Sequence, residues 1–201
     1  KWLERAADSG NAVALANLAD VYLRGDTPSY DPVKAVDLYR RSFDAGYADA
    51  ALNLGNASQW GWAHPDKLTD LDQAMAYYID GANAGCVSCW AAAAGLLNAP
   101  AYTEHYDPEG ALALLHTGSE AGDLDARVEY GNLLKRGVGS KAPDPVSAYQ
   151  AYKSAAAAGS LDGRRAAAIA LAKGQGSTRD IRNAAPELRD ALNRIGGMEG
   201  A

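Results

Sequence analysis

The chain has 201 residues, 48% hydrophobic and 22% charged, with a net charge of −6. That balance excludes wholesale disorder, and the acidic excess argues against a nucleic-acid partner. Three histidines and two cysteines leave few ligands for a metal cluster, and no apolar run approaches the ~20 residues that span a bilayer. No cofactor or small-molecule substrate is expected.

Within the apolar fraction alanine is abundant, tyrosine occurs 11 times and phenylalanine once. Small residues of high helix propensity predict closely packed helices. Glycines at Gly10, Gly46, Gly85, Gly122, Gly159 and Gly196 recur at intervals of 36 to 39 residues, and their neighbours recur with them. Eleven residues before the later glycines stand Ala35, Ala74, Ala111, Ala148 and Ala185. Fifteen before them stand Asp31, Asp70, Asp107 and Asp144, with Asp180 displaced by one place. Nine residues after each glycine comes Ala19, Gly55, Ala94, Gly131 or Ala168, and six later Gly25, Gly61, Pro100, Gly137 or Gly174.

In chain order, Lys1–Asp8 aligns with the end of a second helix lacking its first, as expected of a segment of a longer protein or of an atypical N-cap. A partial unit at 1–10 is thus followed by repeats at 11–46, 47–85, 86–122, 123–159 and 160–196, and a flexible tail at 197–201. Each repeat is predicted to be two helices. The first helices are expected at Ala12–Arg24, Ala48–Trp60, Val87–Ala99, Leu124–Arg136 and Leu161–Lys173, with the glycine that follows adopting a left-handed C′ conformation. The second helices are expected to start at aspartate N-caps, with proline at N1 in Asp31-Pro32, Asp107-Pro108 and Asp144-Pro145. Ala19, Gly55, Ala94, Gly131 and Ala168 mark where the partner helix approaches closely, and a larger group there would push the helices apart.

Few residues suggest chemistry. Cys86-Val-Ser-Cys89 is a CxxC at a predicted helix start, where backbone amides favour a thiolate. Without a surrounding βαβ pattern it reads better as packed cysteines or a local disulfide than as a redox pair. His64 and His105 fall in loops and His116 on a second helix, with no nucleophile or third partner beside the Tyr102–Tyr106 segment. Asp70 and Asp72 read as helix-start charges, and Gly137-Val138-Gly139 lacks the lysine of a phosphate loop. No catalytic residue is assigned. Trp60 and Trp62, and likewise Tyr102 and Tyr106, are either exposed anchors for a partner or covers over helix ends.

The register resembles that of the Sel1-like repeat family, a longer-looped relative of the tetratricopeptide repeat. The segments that carry the likeness are 44–55 (DAGYADAALNLG), 124–139 (LDARVEYGNLLKRGVG), 31–39 (DPVKAVDLY) and 144–152 (DPVSAYQAY). The repeat at 86–122 departs most, with Pro100 for a loop glycine and Leu115 for the usual aromatic. The resemblance implies an all-α, right-handed α/α superhelical solenoid and a non-enzymatic scaffold or adaptor that binds a protein or peptide on a concave face lined by first helices. The alternatives are a structural or regulatory module of a bacterial cell-envelope or polysaccharide assembly and, third, a CxxC thiol-redox protein. The family also favours the bacterial periplasm or cell envelope over the cytoplasm. In that register the lining would be Asp20, Arg24, Asp49, Leu52, Asn56, Gln59, Trp60, Asn98, Asp125, Val128, Asn132, Lys135, Arg136, Arg165 and Lys173. Asn56 and Asn132 would offer amides to an extended backbone, and Lys135, Arg136 and Arg165 would hold a terminal carboxylate, as basic residues do in related grooves. The basic residues in last turns equally complement the helix dipole.

Overall fold

A computed structural model describes residues 2–25, 29–62, 66, 68–139 and 141–175. Among them are ten helices: α1 (Trp2–Asp8), α2 (Ala12–Leu23), α3 (Pro32–Asp44), α4 (Ala50–Trp60), α5 (Leu71–Ala84), α6 (Cys89–Leu97), α7 (Pro108–Glu120), α8 (Leu124–Arg136), α9 (Pro145–Ala157) and α10 (Leu161–Ala172). The fold class is all-α. His64, Asp180, Ala185, Gly196, the second helix expected in repeat 160–196 and the tail at 197–201 lie outside the described residues.

Capping chemistry places the helix starts. Each second helix begins behind an aspartate whose carboxylate accepts the amide three residues on: Asp31 from Lys34, Asp70 from Gln73, Asp107 from Gly110 and Asp144 from Ser147. Proline follows at N1 in α3, α7 and α9, where an N–H would have no helical partner. First helices divide into two kinds. Asn11, Asp123 and Ser160 cap α2, α8 and α10 through side-chain oxygens, and those helices start at the next residue. The same register place holds Tyr47 and Cys86, which offer no such acceptor. There the chain first makes i→i−3 turns, Ala50 N–H to Tyr47 O and Cys89 N–H to Cys86 O, so α4 starts at Ala50 and α6 at Cys89, each two residues later than expected.

The ends differ from expectation in one further respect. Gly61 closes α4 in the left-handed region at φ 63°, as the spacing predicts. Gly25 does not repeat this: α2 stops at Leu23 and its cap, Arg24, is extended at φ −70° and ψ 105°, so the chain leaves the helix before reaching the glycine. Helix α6 ends at Leu97 with Asn98 as its cap, and α10 ends at Ala172 with Lys173, after which Gly174 takes the left-handed φ of 67° that the spacing predicts.

The chain forms two compact units, Lys1–Tyr106 and Asp107–Ala201, and the division falls within the repeat that departs most from the pattern. In the first, α1 to α6 pack each on the next. Its core holds Leu15, Ala19, Ala35, Leu38, Tyr39 and Leu54, with a second cluster of Ala51, Ala82, Cys86 and Cys89. In the second, α7 to α10 pack in the same sequential way, and α10 also returns to touch α8. Val128, Ala148, Tyr152, Ala155, Ala167 and Leu171 fill that core.

The close-contact positions are buried, and the structure shows what approaches them. A Cβ at Gly131 would stand 2.6 Å from Cε1 of Tyr152 and 3.1 Å from the Ala148 carbonyl oxygen. One at Gly55 would overlap the ring of Tyr78. The glycines therefore make room for the flat face of a buried tyrosine from the following helix.

Candidate partner-binding site

The tyrosines that press on these positions carry a hydroxyl into each helix pair, and a buried hydroxyl needs a partner. Tyr39, Tyr78 and Tyr152 all stand eight residues after their aspartate caps and are almost fully buried. Their partners come from one register place on the first helix. Tyr39 donates to Asp20 in a short hydrogen bond, and Tyr152 donates to Asn132 Oδ1 at 2.8 Å. Tyr78 lies 2.8 Å from both Asn56 Oδ1 and Gln59 Oε1, which compete for its single proton. Burial raises the pKa of all three phenols, that of Tyr152 to about 12, with Glu129 adding to the rise and Arg136 opposing it. Asp20, Asn56 and Asn132, nominated for a ligand, thus have their carbonyl or carboxylate oxygens engaged inside the fold. The clue was legible in the sequence: the acidic or amide residue and the tyrosine occur together in three repeats. In the repeat at 86–122 the two places hold Gly95 and Leu115.

In the first unit the remaining nominated residues take local roles. Leu52 packs on the Cys86–Cys89 cluster. Gln59 Nε2 donates to the Tyr102 hydroxyl at 3.3 Å, Asp49 stands at the N-cap of α4, and Arg24 and Asn98 cap helix ends. Trp60 is 56% exposed, whereas Trp62 and Tyr102 are half-buried. A cleft of about 730 Å³ here is built from other side chains, among them Arg40, Asp70 and His105, whose Nε2 lies 3.0 Å from Asp72 Oδ1. The Cys86 and Cys89 sulfurs are bonded to each other and fully buried beside Ala51 and Ala82.

The second unit is different. Asp125, Val128, Asn132, Lys135, Arg136, Arg165 and Lys173 all line one cleft of about 720 Å³ between α8 and α10, with Tyr152 of α9 also in its wall. Two connections reverse the chain twice and bring α10 back beside α8, so equal register places of both helices line the cleft: Asp125 and Asp162, Val128 and Arg165, Asn132 and Ile169, and Arg136 and Lys173. Asp162 and Ile169 were not among the expected residues, although the register that selects Asp125 and Asn132 selects them too.

Charge is sorted along this cleft. Asp125 and Asp162 stand in the first turns of α8 and α10 and Lys135, Arg136 and Lys173 at the ends, while Val128, Glu129 and Asn132 of α8 and Ala166, Ile169 and Ala170 of α10 lie between. Each pole complements the local helix dipole. Arg165 belongs to the acidic end, where its Nη2 pairs with Asp162 Oδ1 at 2.7 Å, rather than with Lys135 and Arg136 as the likeness to related grooves implies. Lys135 Nζ sits 5.8 Å above the Tyr152 ring, and Asn132 Nδ2 donates to Glu129 at 3.0 Å. The stretch from the register of Asp125 to that of Arg136 covers roughly 16 Å at 1.5 Å per helical residue, the span of about five extended residues.

Among the described residues no group of three or more His, Cys, Asp or Glu is placed to hold a metal ion, and no helix is long and apolar enough to cross a membrane. A family model of the Sel1 repeat matches residues 1–11, 12–47, 48–86 and 124–160. No curated protein matches the chain. Among solved structures it is similar to a protective antigen present in uropathogenic Escherichia coli strains that displays an SLR fold, at 25% identity and TM-score 0.76 over 94% of this chain and 40% of that one. It is also similar to a Sel1 repeat protein from Oxalobacter formigenes, at 23% identity and TM-score 0.78 over 96% of this chain and 77% of that one. A third, a Sel1 repeat protein from Klebsiella pneumoniae subsp. pneumoniae, matches at 21% identity and TM-score 0.57 over 96% and 91%. The chain thus spans about two-fifths of the first of these and most of the other two.

Proposed function

Because this chain belongs to the Sel1 repeat family, whose members generally serve as protein–protein interaction modules, we propose that it is a non-enzymatic scaffold that seats an extended segment of a partner protein between α8 and α10. The observation that carries this reading is the sorted cleft: acidic side chains at its start, basic ones at its end, and Val128, Ala166, Ile169 and Ala170 as apolar ground along it. Such a groove suits a segment with one apolar side chain over Ile169 and a carboxylate toward Lys135, Arg136 and Lys173. The opposed charges set the direction in which it lies.

Selection from a random peptide library presented with free carboxy termini tests it. Enriched peptides should crosslink to a photoreactive group placed at Ile169 and not to one at Val146, which is 55% exposed on α9. Crosslinking at Val146 alone, or no enrichment, rejects the reading. Asn132→Ala is a poor probe, because it strands the buried Tyr152 hydroxyl at a cost of about 1–3 kcal/mol.

A second reading, a module of a bacterial cell-envelope assembly, draws support from the buried Cys86–Cys89 disulfide, since disulfides persist in oxidising compartments. A thiol-redox role has less support: both sulfurs are shielded from a substrate thiol, and exchange requires access.

A further inference from the structure

Five residues after each repeat glycine the first helix carries Leu15, Ala51, Trp90, Arg127 and Arg164. In the first unit this place is apolar, and Leu15 and Ala51 are buried. The second unit puts arginine there, so at Arg127 a half-buried cation stands where the first unit puts an apolar side chain.

The partners of Arg127 are all neutral. Its Nε donates to Ser119 Oγ at 3.0 Å and its Nη2 makes a short bond to the Ser119 carbonyl oxygen, so one residue of α7 occupies the Nε/Nη2 edge of the fork. Toward α9, Nη1 makes a long contact of 3.4 Å to Ser154 Oγ. The Nη1/Nη2 edge, suited to bidentate pairing with an oxyanion, keeps unused donors. The guanidinium lines a cleft of about 580 Å³ between α7 and α9, with Tyr130, Gln150, Ser154 and His116 in its walls. His116 and Tyr130 meet edge to face at 5.2 Å and stiffen one side. Glu120 also lines this cleft without pairing with Arg127, and its charge opposes an incoming anion.

We propose that the α7–α9 cleft is an oxyanion site, separate from the α8–α10 cleft, in which Arg127 holds the carboxylate or phosphate group of a small molecule while Ser154 and Gln150 supply neutral hydrogen bonds. A half-buried guanidinium with only neutral partners gains more from an anion than an exposed one, because its surroundings screen charge less than water does. Ser119 fixes the orientation of the fork before the anion arrives.

The test titrates the full chain with inorganic phosphate and, separately, acetate, each replacing chloride at constant ionic strength, and follows binding by calorimetry and by melting temperature. The site predicts saturable binding of at least one of the two, and whichever binds more tightly identifies the oxyanion. Arg127→Leu restores the residue found at this place in the first repeat, so the helix pair should still form. It should weaken binding on the order of tenfold or more, with Arg127→Lys between it and the parent. Glu120→Gln should tighten binding by about threefold. Equal binding by the parent and a folded Arg127→Leu variant overturns the proposal, and so does the absence of any effect of either anion beyond that of chloride. If Arg127→Leu fails to fold, weaker binding by Glu120→Gln than by the parent overturns it.

Discussion

Tyr152 shows how one side chain sets several others. Its ring requires a glycine at 131, its hydroxyl requires an acceptor at 132, and Lys135 Nζ stands over the ring. Two adjacent demands on α8 thus follow from a single residue of α9. Gly131→Val would drive a branched side chain against both the ring and the Ala148 carbonyl, and overpacking of this kind costs about 1–3 kcal/mol. The melting temperature of that variant should fall by several degrees, and an unchanged melt would show that α8 and α9 are not in contact here. The buried phenol also makes a pH statement. Its folded pKa, about 12, lies above the ordinary 10.0, so between those values the unfolded chain gives up a proton that the folded chain keeps. Stability should therefore be independent of this group below pH 10 and fall across pH 10 to 12 by up to roughly 1.4 kcal/mol per pH unit. Urea denaturation at pH 9 and pH 11 should show a smaller loss in Tyr152→Phe than in the parent, and equal losses would contradict the burial argument.

At the scale of the element, most of what the structure shows was legible. Second helices start where the aspartates place them, with a proline behind the aspartate in α3, α7 and α9, because a carboxylate cap and a preset φ act locally and need no tertiary help. First helices were less legible. Their shared alignment hid the fact that position 47 and position 86 lack a capping oxygen, and the delay of α4 and α6 follows from that local chemistry. Asp123 is the counter-example. Its Oδ1 takes the amides of Asp125 and Ala126, and α8 starts at once. Asp123→Ala should cost about 1 kcal/mol and fray the first turn, which carries Asp125 of the cleft. Faster amide exchange at Asp125 and Ala126, with the end of α8 unchanged, is the expected signature, whereas uniform exchange along α8 would show that the cap is dispensable.

At the scale of the molecule, each unit is built by contacts between neighbours in sequence, so a register error in one repeat does not spread to the next. This is why the succession of helix pairs could be read from glycine, alanine and aspartate spacings, whereas the solenoid came from the family resemblance. The site could not be read in full by the same means, for a physical reason. One register place on the first helix serves two ends: Asp20 and Asn56 satisfy buried tyrosines, and Asn132 does so while also lining a cleft. Spacing identifies the place, but the neighbours decide its use. What distinguishes the second unit is that α10 carries Asp162, Ile169 and Lys173 at the same places as Asp125, Asn132 and Arg136 on α8, and both rows line one cleft.

The most direct measurement is the affinity of a library-selected peptide for the parent and for the double variant Arg136→Glu/Lys173→Glu. Both side chains are exposed at helix ends, so the reversal leaves the core intact. Binding by the double variant should be weaker by on the order of tenfold or more, with steeper salt dependence in the parent and only a small change in melting temperature. Equal affinity in a folded double variant would contradict the claim that a partner lies between α8 and α10.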